Sequence, residues 1–180
     1  MNAASTSTPT TGTIGAALAR LRVARRRRPG FGHSVGRSES VLVGPLRCET
    51  RDGEALIATD LPAALGGDAS APTPTVLVRA ALGSCLAMGY RLRAAELGVE
   101  LTDVKVTVES ESELVGMLDP CAGAPPGFTA LRYRVEIDSP APAADVERVV
   151  ELADRLSPVL DMLRRPAVIE RTVATRQAEA

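Results

Sequence analysis

The chain has 180 residues, and its 21 Lys and Arg against 22 Asp and Glu give a net charge of −1, which predicts no general affinity for polyanions. Hydrophobic residues make up 45% and aromatic residues only 2%, so a core must come from Val, Leu and Ala, and a base-stacking surface for single-stranded nucleic acid is not expected. Three cysteines without a C-x-x-C pair and one histidine, His33, argue against a disulfide framework, a zinc site and Cys-His catalysis, which makes a reducing cytoplasm the expected compartment and leaves no metal or cofactor implied.

Residues 1–13 are mostly Ser, Thr, Ala, Gly and Pro, which bury too little to order themselves and read as a flexible tail. From Ile14 to Arg28, Ile14, Leu18, Leu21 and Val23 alternate with Arg20, Arg22 and Arg25–Arg28 as a short basic helix. A nucleic-acid contact, a membrane contact or a targeting peptide would each use such a run, since the first acid is Glu39. Short basic runs are common and non-specific, so a solvated extension packed loosely on the domain is the preferred reading. Residues 1–36 are therefore set apart as an extension, 37–176 as one domain and 177–180 as a frayed end.

Glu39 to Glu49 reads as one strand interrupted at Gly44-Pro45, and Asp52-Gly53 turns it into a second strand, Glu54 to Thr59. Asp60 to Pro72 is a loop whose Gly66-Gly67 pair lacks the Lys-Ser/Thr tail of a phosphate-binding loop. Thr73 to Gly98 is the central stretch, with Thr73 as helix cap, Pro74 at the first position and Gly98 as the left-handed terminator. From Val76 to Tyr90 the only charge is Arg79, so the helix is apolar all round, as a buried helix is. It is too short an apolar run to cross a bilayer.

Cys85 lies inside this helix. Gly83-Ser84 leaves two arrangements open: one helix about 36 Å long, or a break that makes Ser84 a new cap and Cys85 its first residue, the arrangement favoured here. Its neighbours one turn away, Ala81, Leu82, Met88 and Gly89, carry no charge, so a cation that activates this thiol must come from elsewhere in the fold or from another subunit.

Leu101 to Ser110 alternates as a half-buried strand, the Gly- and Pro-rich 115–127 loop carries Cys121, and Thr129 to Asp138 completes an antiparallel hairpin. A helix follows with Val146, Val149, Val150, Ala153 and Leu156 on one face, ending near Leu156. Ser157 then caps a further turn with Pro158 at its first position. Pro166 ends that turn, Ala167 to Thr175 reads as a last strand, and the element order makes an α+β domain.

The stretch Pro74-Thr-Val-Leu-Val-Arg-Ala-Ala-Leu-Gly-Ser-Cys85, preceded by Leu65-Gly66-Gly67 and followed by Ala94-Ala-Glu-Leu-Gly98 and the Val104-Lys-Val-Thr-Val108 strand, resembles the OsmC/Ohr family. Pro126-Gly-Phe128, Asp138-Ser-Pro-Ala-Pro142 and Ser157-Pro-Val-Leu fall where that family has matching elements. The resemblance implies intertwined homodimers in which antiparallel sheets wrap buried central helices, with two active sites at the interface. It implies reduction of organic hydroperoxides, in which a thiolate becomes a sulfenic acid, a second cysteine condenses with it and an external dithiol restores both.

On this resemblance Cys85 matches the attacking cysteine. The second cysteine's position holds Ser157, the activating glutamate's holds Thr75, and Arg47, with Arg37 behind it, is the candidate for the activating arginine. Ser157 cannot form the disulfide, so Cys85 is expected to work as a single peroxidatic cysteine rescued by an external thiol, or by Cys121 on its loop or Cys48 on its strand. The alternative is a non-catalytic protein that binds or senses a small apolar or oxidised ligand at the dimer interface. The expected partners are a second copy, a hydroperoxide and a thiol or dithiol reductant, with no nucleic acid and no membrane.

Overall fold

The computed structural model describes residues 11–121 and 123–175, so the part of the proposed tail at 1–10, residue 176 and the expected frayed end at 177–180 lie outside the described residues. The first helix, α1, runs Thr11–Arg27, which makes residues 11–13 its opening turn rather than part of a tail. It lies against the central helix closely enough that a Cβ on Gly15 would sit 3.0 Å from the Ala95 carbonyl oxygen.

Three short strands follow, β1 (Glu39–Leu42), β2 (Cys48–Asp52) and β3 (Ala55–Thr59), as one antiparallel sheet in the order β1-β2-β3. Gly44-Pro45 does more than interrupt a strand. The chain reverses there, the Val43 amide closes on the Arg47 carbonyl at 3.0 Å and Leu42 pairs with Cys48, so the expected single strand is two antiparallel ones. Asp52 pairs with Ala55 across a two-residue turn that holds Gly53 at a φ of +55°, the left-handed region glycine enters without cost.

The 60–72 loop carries a single 3₁₀ turn at Ala63–Leu65 and is tied to Asp60. Gly67 is required there, because a Cβ would meet the Leu61 carbonyl oxygen at 2.0 Å.

The central helix, α2, runs unbroken from Pro74 to Leu97 and ends at Gly98 with φ +70°. The break favoured at Gly83 does not occur. Gly83 faces the strand β4 (Asp103–Ser112), where a Cβ would touch Val108 at 3.4 Å, so its lack of a side chain serves close packing. Ser84 returns its hydroxyl to the Ala81 carbonyl at 3.3 Å, as a serine inside a helix does. Thr73 holds the cap position but bonds Thr75 Oγ1 at 2.9 Å instead of a backbone amide.

β4 and β5 (Phe128–Asp138) pair antiparallel as expected, with Val104 opposite Ile137, Val106 opposite Val135 and Val108 opposite Tyr133. These inward residues lean on the core of Leu82, Leu86, Tyr90 and Ala94 from α2, joined by Val99, Leu101, Val149, Ala153 and Leu160. The connection between the strands contains a short helix, α3 (Leu114–Leu118), where only loop was expected.

Helix α4 (Ala143–Arg155) buries Val149 and Ala153 against α2, while Leu156 is exposed rather than on that face. Helix α5 (Pro158–Arg164) starts as read from the sequence, with Ser157 Oγ accepting from the Leu160 amide at 3.3 Å. The expected last strand does not form: 166–175 is irregular, and Val168 and Ile169 are each 91% exposed. Its Val, Ile and Thr content suits a strand, but it meets no sheet edge among the described residues, and a strand exists only against a neighbour.

The α2 stripe Leu82, Leu86, Tyr90, Ala94 is buried, whereas Val78, Ala81 and Met88, on the flank that also bears Cys85, are exposed or at the limit of exposure. One chain thus buries half of a helix that is apolar all round. Among the described residues no helix is long and apolar enough to cross a membrane.

Candidate active site

Cys85 sits where the buried and exposed stripes of α2 meet, partly accessible, at the middle of an unbroken helix. Its Sγ lies 3.3 Å from Ser157 Oγ, the cap of α5, which is 4% exposed. Either atom of this pair can be the donor. Ser157 Oγ accepts from the Leu160 amide and keeps its single hydrogen free to be donated to a deprotonated sulfur, which can only accept.

Three residues before Ser157, the Asp154 carboxylate accepts hydrogen bonds from Tyr90 Oη at 2.8 Å and Tyr133 Oη at 2.7 Å. These are the only two tyrosines in the chain. Burial, and next the bond to the Asp154 carboxylate, push both phenols above the usual tyrosine range, Tyr90 well above it. Tyr90 is five residues after Cys85 on α2, so the Tyr90–Asp154 and Cys85–Ser157 contacts are two adjacent ties between α2 and the α4–α5 corner. Sequence reading missed Asp154. The signal was present in two tyrosines at inward positions, each needing a partner for its hydroxyl in a core otherwise almost wholly aliphatic.

The remaining candidates lie apart from the thiol. Arg47 Nη1 donates to Ser70 Oγ at 2.8 Å, and Arg47 also pairs with Glu49 at 3.7 Å. Ser70 in turn donates through its amide and hydroxyl, at 3.0 and 2.7 Å, to the buried Asp60 carboxylate, which also takes the Leu61 amide at 2.8 Å. The Ser70 bonds, amide first, hold Asp60 below the usual carboxylate range. Thr75 is ten residues ahead of Cys85 on one straight helix, about 15 Å along the axis, beyond contact within a chain.

Arg37 is exposed and faces Glu39 at 3.7 Å. Cys48 lies on β2 opposite Leu42 and Thr59, and Cys121 is exposed in the loop after α3, its amide bonded to Asp119 at 2.8 Å. The structure therefore brings together Cys85 and Ser157, and leaves Arg47, Thr75 and Cys121 without a contact to the thiol among the described residues. No cluster of three or more His, Cys, Asp or Glu side chains among those residues could hold a metal ion.

The fold is similar to that of known structures. An OsmC-like protein from Mycoplasma pneumoniae superposes with a TM-score of 0.62 over 74% of this chain and 89% of its own, at 16% identity. An organic hydroperoxide resistance protein OsmC from Legionella pneumophila does so at 0.53 over 73% and 90%, with 22% identity. One from Elizabethkingia anophelis gives 0.54 over 76% and 92%, with 15% identity. No curated protein sequence matches. The family model described as OsmC-like protein matches residues 67–171, which span the whole of α2, the β4–β5 hairpin, α4 and α5, and the chain belongs to the OsmC family.

Proposed function

We propose that this protein serves in oxidative-stress defence by reducing organic hydroperoxides at the expense of an external thiol, through Cys85 as the single peroxidatic cysteine of each subunit of a homodimer. The observation that carries the reading is the 3.3 Å approach of Cys85 Sγ to Ser157 Oγ, on the two positions where the family resemblance expects the reacting cysteine and its partner. Similar folds named for hydroperoxide resistance in Legionella pneumophila and Elizabethkingia anophelis support it.

The Cys85 thiolate attacks the terminal oxygen of ROOH, the O–O bond breaks, and the alkoxide takes a proton to leave as ROH. Cys85 is then a sulfenic acid. Ser157 donates to the thiolate before the attack and to the sulfenic acid after it, but has no sulfur to condense with. An external thiol expels water to form a mixed disulfide with Cys85, and a second thiol releases Cys85 as thiol and itself as disulfide.

A second copy supplies what one chain lacks. Val78 and Met88 on α2, Val41, Leu42, Leu56 and Ile57 on the first sheet and Val168 and Ile169 after α5 are large apolar residues left at the surface. Apolar surface on this scale marks an interface. Thr75 reaches a thiol only across such an interface, and Arg47, presented by Ser70 and Asp60, is the candidate cation for it.

The test is turnover of cumene hydroperoxide coupled to a dithiol such as dihydrolipoamide. Wild type should turn over, Cys85→Ser should not, and Cys121→Ser should match wild type. Oxidation of Cys85 without turnover would instead favour a sensor of oxidised ligands, and turnover surviving Cys85→Ser would remove the proposal.

A further inference from the structure

We propose that the arginine-bearing end of α1 binds in the major groove of duplex DNA, contacting phosphates on both strands without reading sequence. The whole-chain charge conceals a division. Residues 1–36 hold six arginines and no acid, leaving fifteen basic against 22 acidic residues for the rest. Averaged over the chain these nearly cancel, but a partner meets the local surface.

α1 is fixed to the domain. Gly15 rests on the Ala95 carbonyl, and Arg22 pairs with Glu96, which Arg93 also holds at 2.6 Å. Both ties fall on adjacent residues at the end of α2, so Arg25–Arg28 are carried beyond the crossing. Arg20 and Arg25–Arg28 are exposed, and among the described residues none of the five has an ion pair.

The arginines occupy two flanks. Arg22, Arg25 and Arg26 line one open cleft of about 500 Å³; Arg20, Arg27 and Arg28 line another of about 560 Å³ with Ala19, Val23 and Ala24. At 3.6 residues per turn Arg20 and Arg27 lie roughly opposite Arg22, Arg25 and Arg26, and Arg28 directly follows the helix. That distribution selects the partner. A flat anionic bilayer engages one side of a helix and wants an apolar face beside the cations. Here Leu21 and Val23 are exposed but lie between arginines. The major groove, about 12 Å wide, admits a helix and presents phosphates on both walls. Residues 20–28 hold only Arg, Leu, Val and Ala, and arginines that reach phosphates on both walls fix position without specifying a sequence.

The test is a titration of the full chain onto a labelled duplex of about 20 base pairs of random sequence at several salt concentrations. Five phosphate contacts predict a slope of log K against log salt near −4.5, at about −0.9 per contact, with a dissociation constant in the micromolar range at low salt. Replacing Arg25, Arg26, Arg27 and Arg28 together with Gln should flatten the slope to about −1 and weaken low-salt binding at least tenfold, and Arg20→Gln alone should lower the slope by about 0.9. No binding at the lowest salt, an unchanged slope in the fourfold variant, or tighter binding to phosphatidylglycerol vesicles than to duplex would each overturn the proposal. Cys85 alkylation in the same samples, expected unchanged, reports on the thiol site independently.

Discussion

Replacing Ser157 with Cys tests the site geometry at its most specific point. Cys85 Sγ and Ser157 Oγ are 3.3 Å apart, and a disulfide needs about 2.05 Å, so a side-chain movement of about 1.3 Å closes the bond. Addition of one equivalent of cumene hydroperoxide to reduced Ser157→Cys protein should then yield an internal disulfide with loss of two thiols, where the native chain loses one. The bond closes a loop of 72 residues, for which chain entropy predicts about 4 kcal/mol of added stability. For a chain of this size that raises the melting temperature by roughly 10 °C over the same variant in reductant. The assay is intact mass together with thermal melts in both redox states, with Cys85→Ser/Ser157→Cys as the control that should show neither effect. Three or four free thiols after oxidation, or a disulfide to Cys48 or Cys121 instead, would refute the placement of Ser157 beside Cys85.

Asp154→Asn replaces two acceptor oxygens with one oxygen and an NH2, leaving one of the two tyrosine hydroxyls without its acceptor, which should cost about 2–4 kcal/mol in a urea melt, while Tyr133→Phe, which removes one bond and its donor together, should cost about 1–2 kcal/mol. Tyr90 and Tyr133 have raised pKa values in the folded chain, so their contribution is present in full below the ordinary tyrosine pKa of about 10 and is lost as pH rises above it. Tyrosinate absorbance should therefore appear together with unfolding, and a smooth titration near pH 10 in folded protein would contradict the buried pair. Asp60 has a lowered pKa, so its contribution is present above the ordinary aspartate value of about 3.9 and is lost as pH falls below it. Amide exchange of the Ser70 backbone should accelerate first in that acid range, and Asp60→Asn should bring the acceleration to neutral pH.

The family was legible because a few residues with special roles lie close together in sequence: Pro74 opening α2, Gly98 closing it, Cys85 between them and Ser157-Pro158 opening α5. The β4–β5 hairpin was legible for the same reason, since alternation of Val104, Val106 and Val108 is a local pattern. Errors came where a tertiary neighbour decides the meaning of a residue. Gly83 reads as a helix breaker until β4 is seen lying against it, and Gly44-Pro45 reads as an interruption until β1 and β2 are seen to pair. Ala167 to Thr175 has a strand's composition, but composition supplies no partner edge. At the site, Ser157 was reached through the resemblance and its contact with Cys85 is visible only in three dimensions, while Asp154 and the Asp60–Ser70 support of Arg47 follow no spacing rule.

In the proposed reaction hydroperoxide oxidises Cys85 and no other residue. Reduced protein treated with one equivalent of cumene hydroperoxide and then with a sulfenic-acid-specific dimedone label should carry a single adduct on Cys85, with one equivalent of cumyl alcohol released. A label on Cys48 or Cys121, or alcohol released at an equal rate by Cys85→Ser, would contradict it.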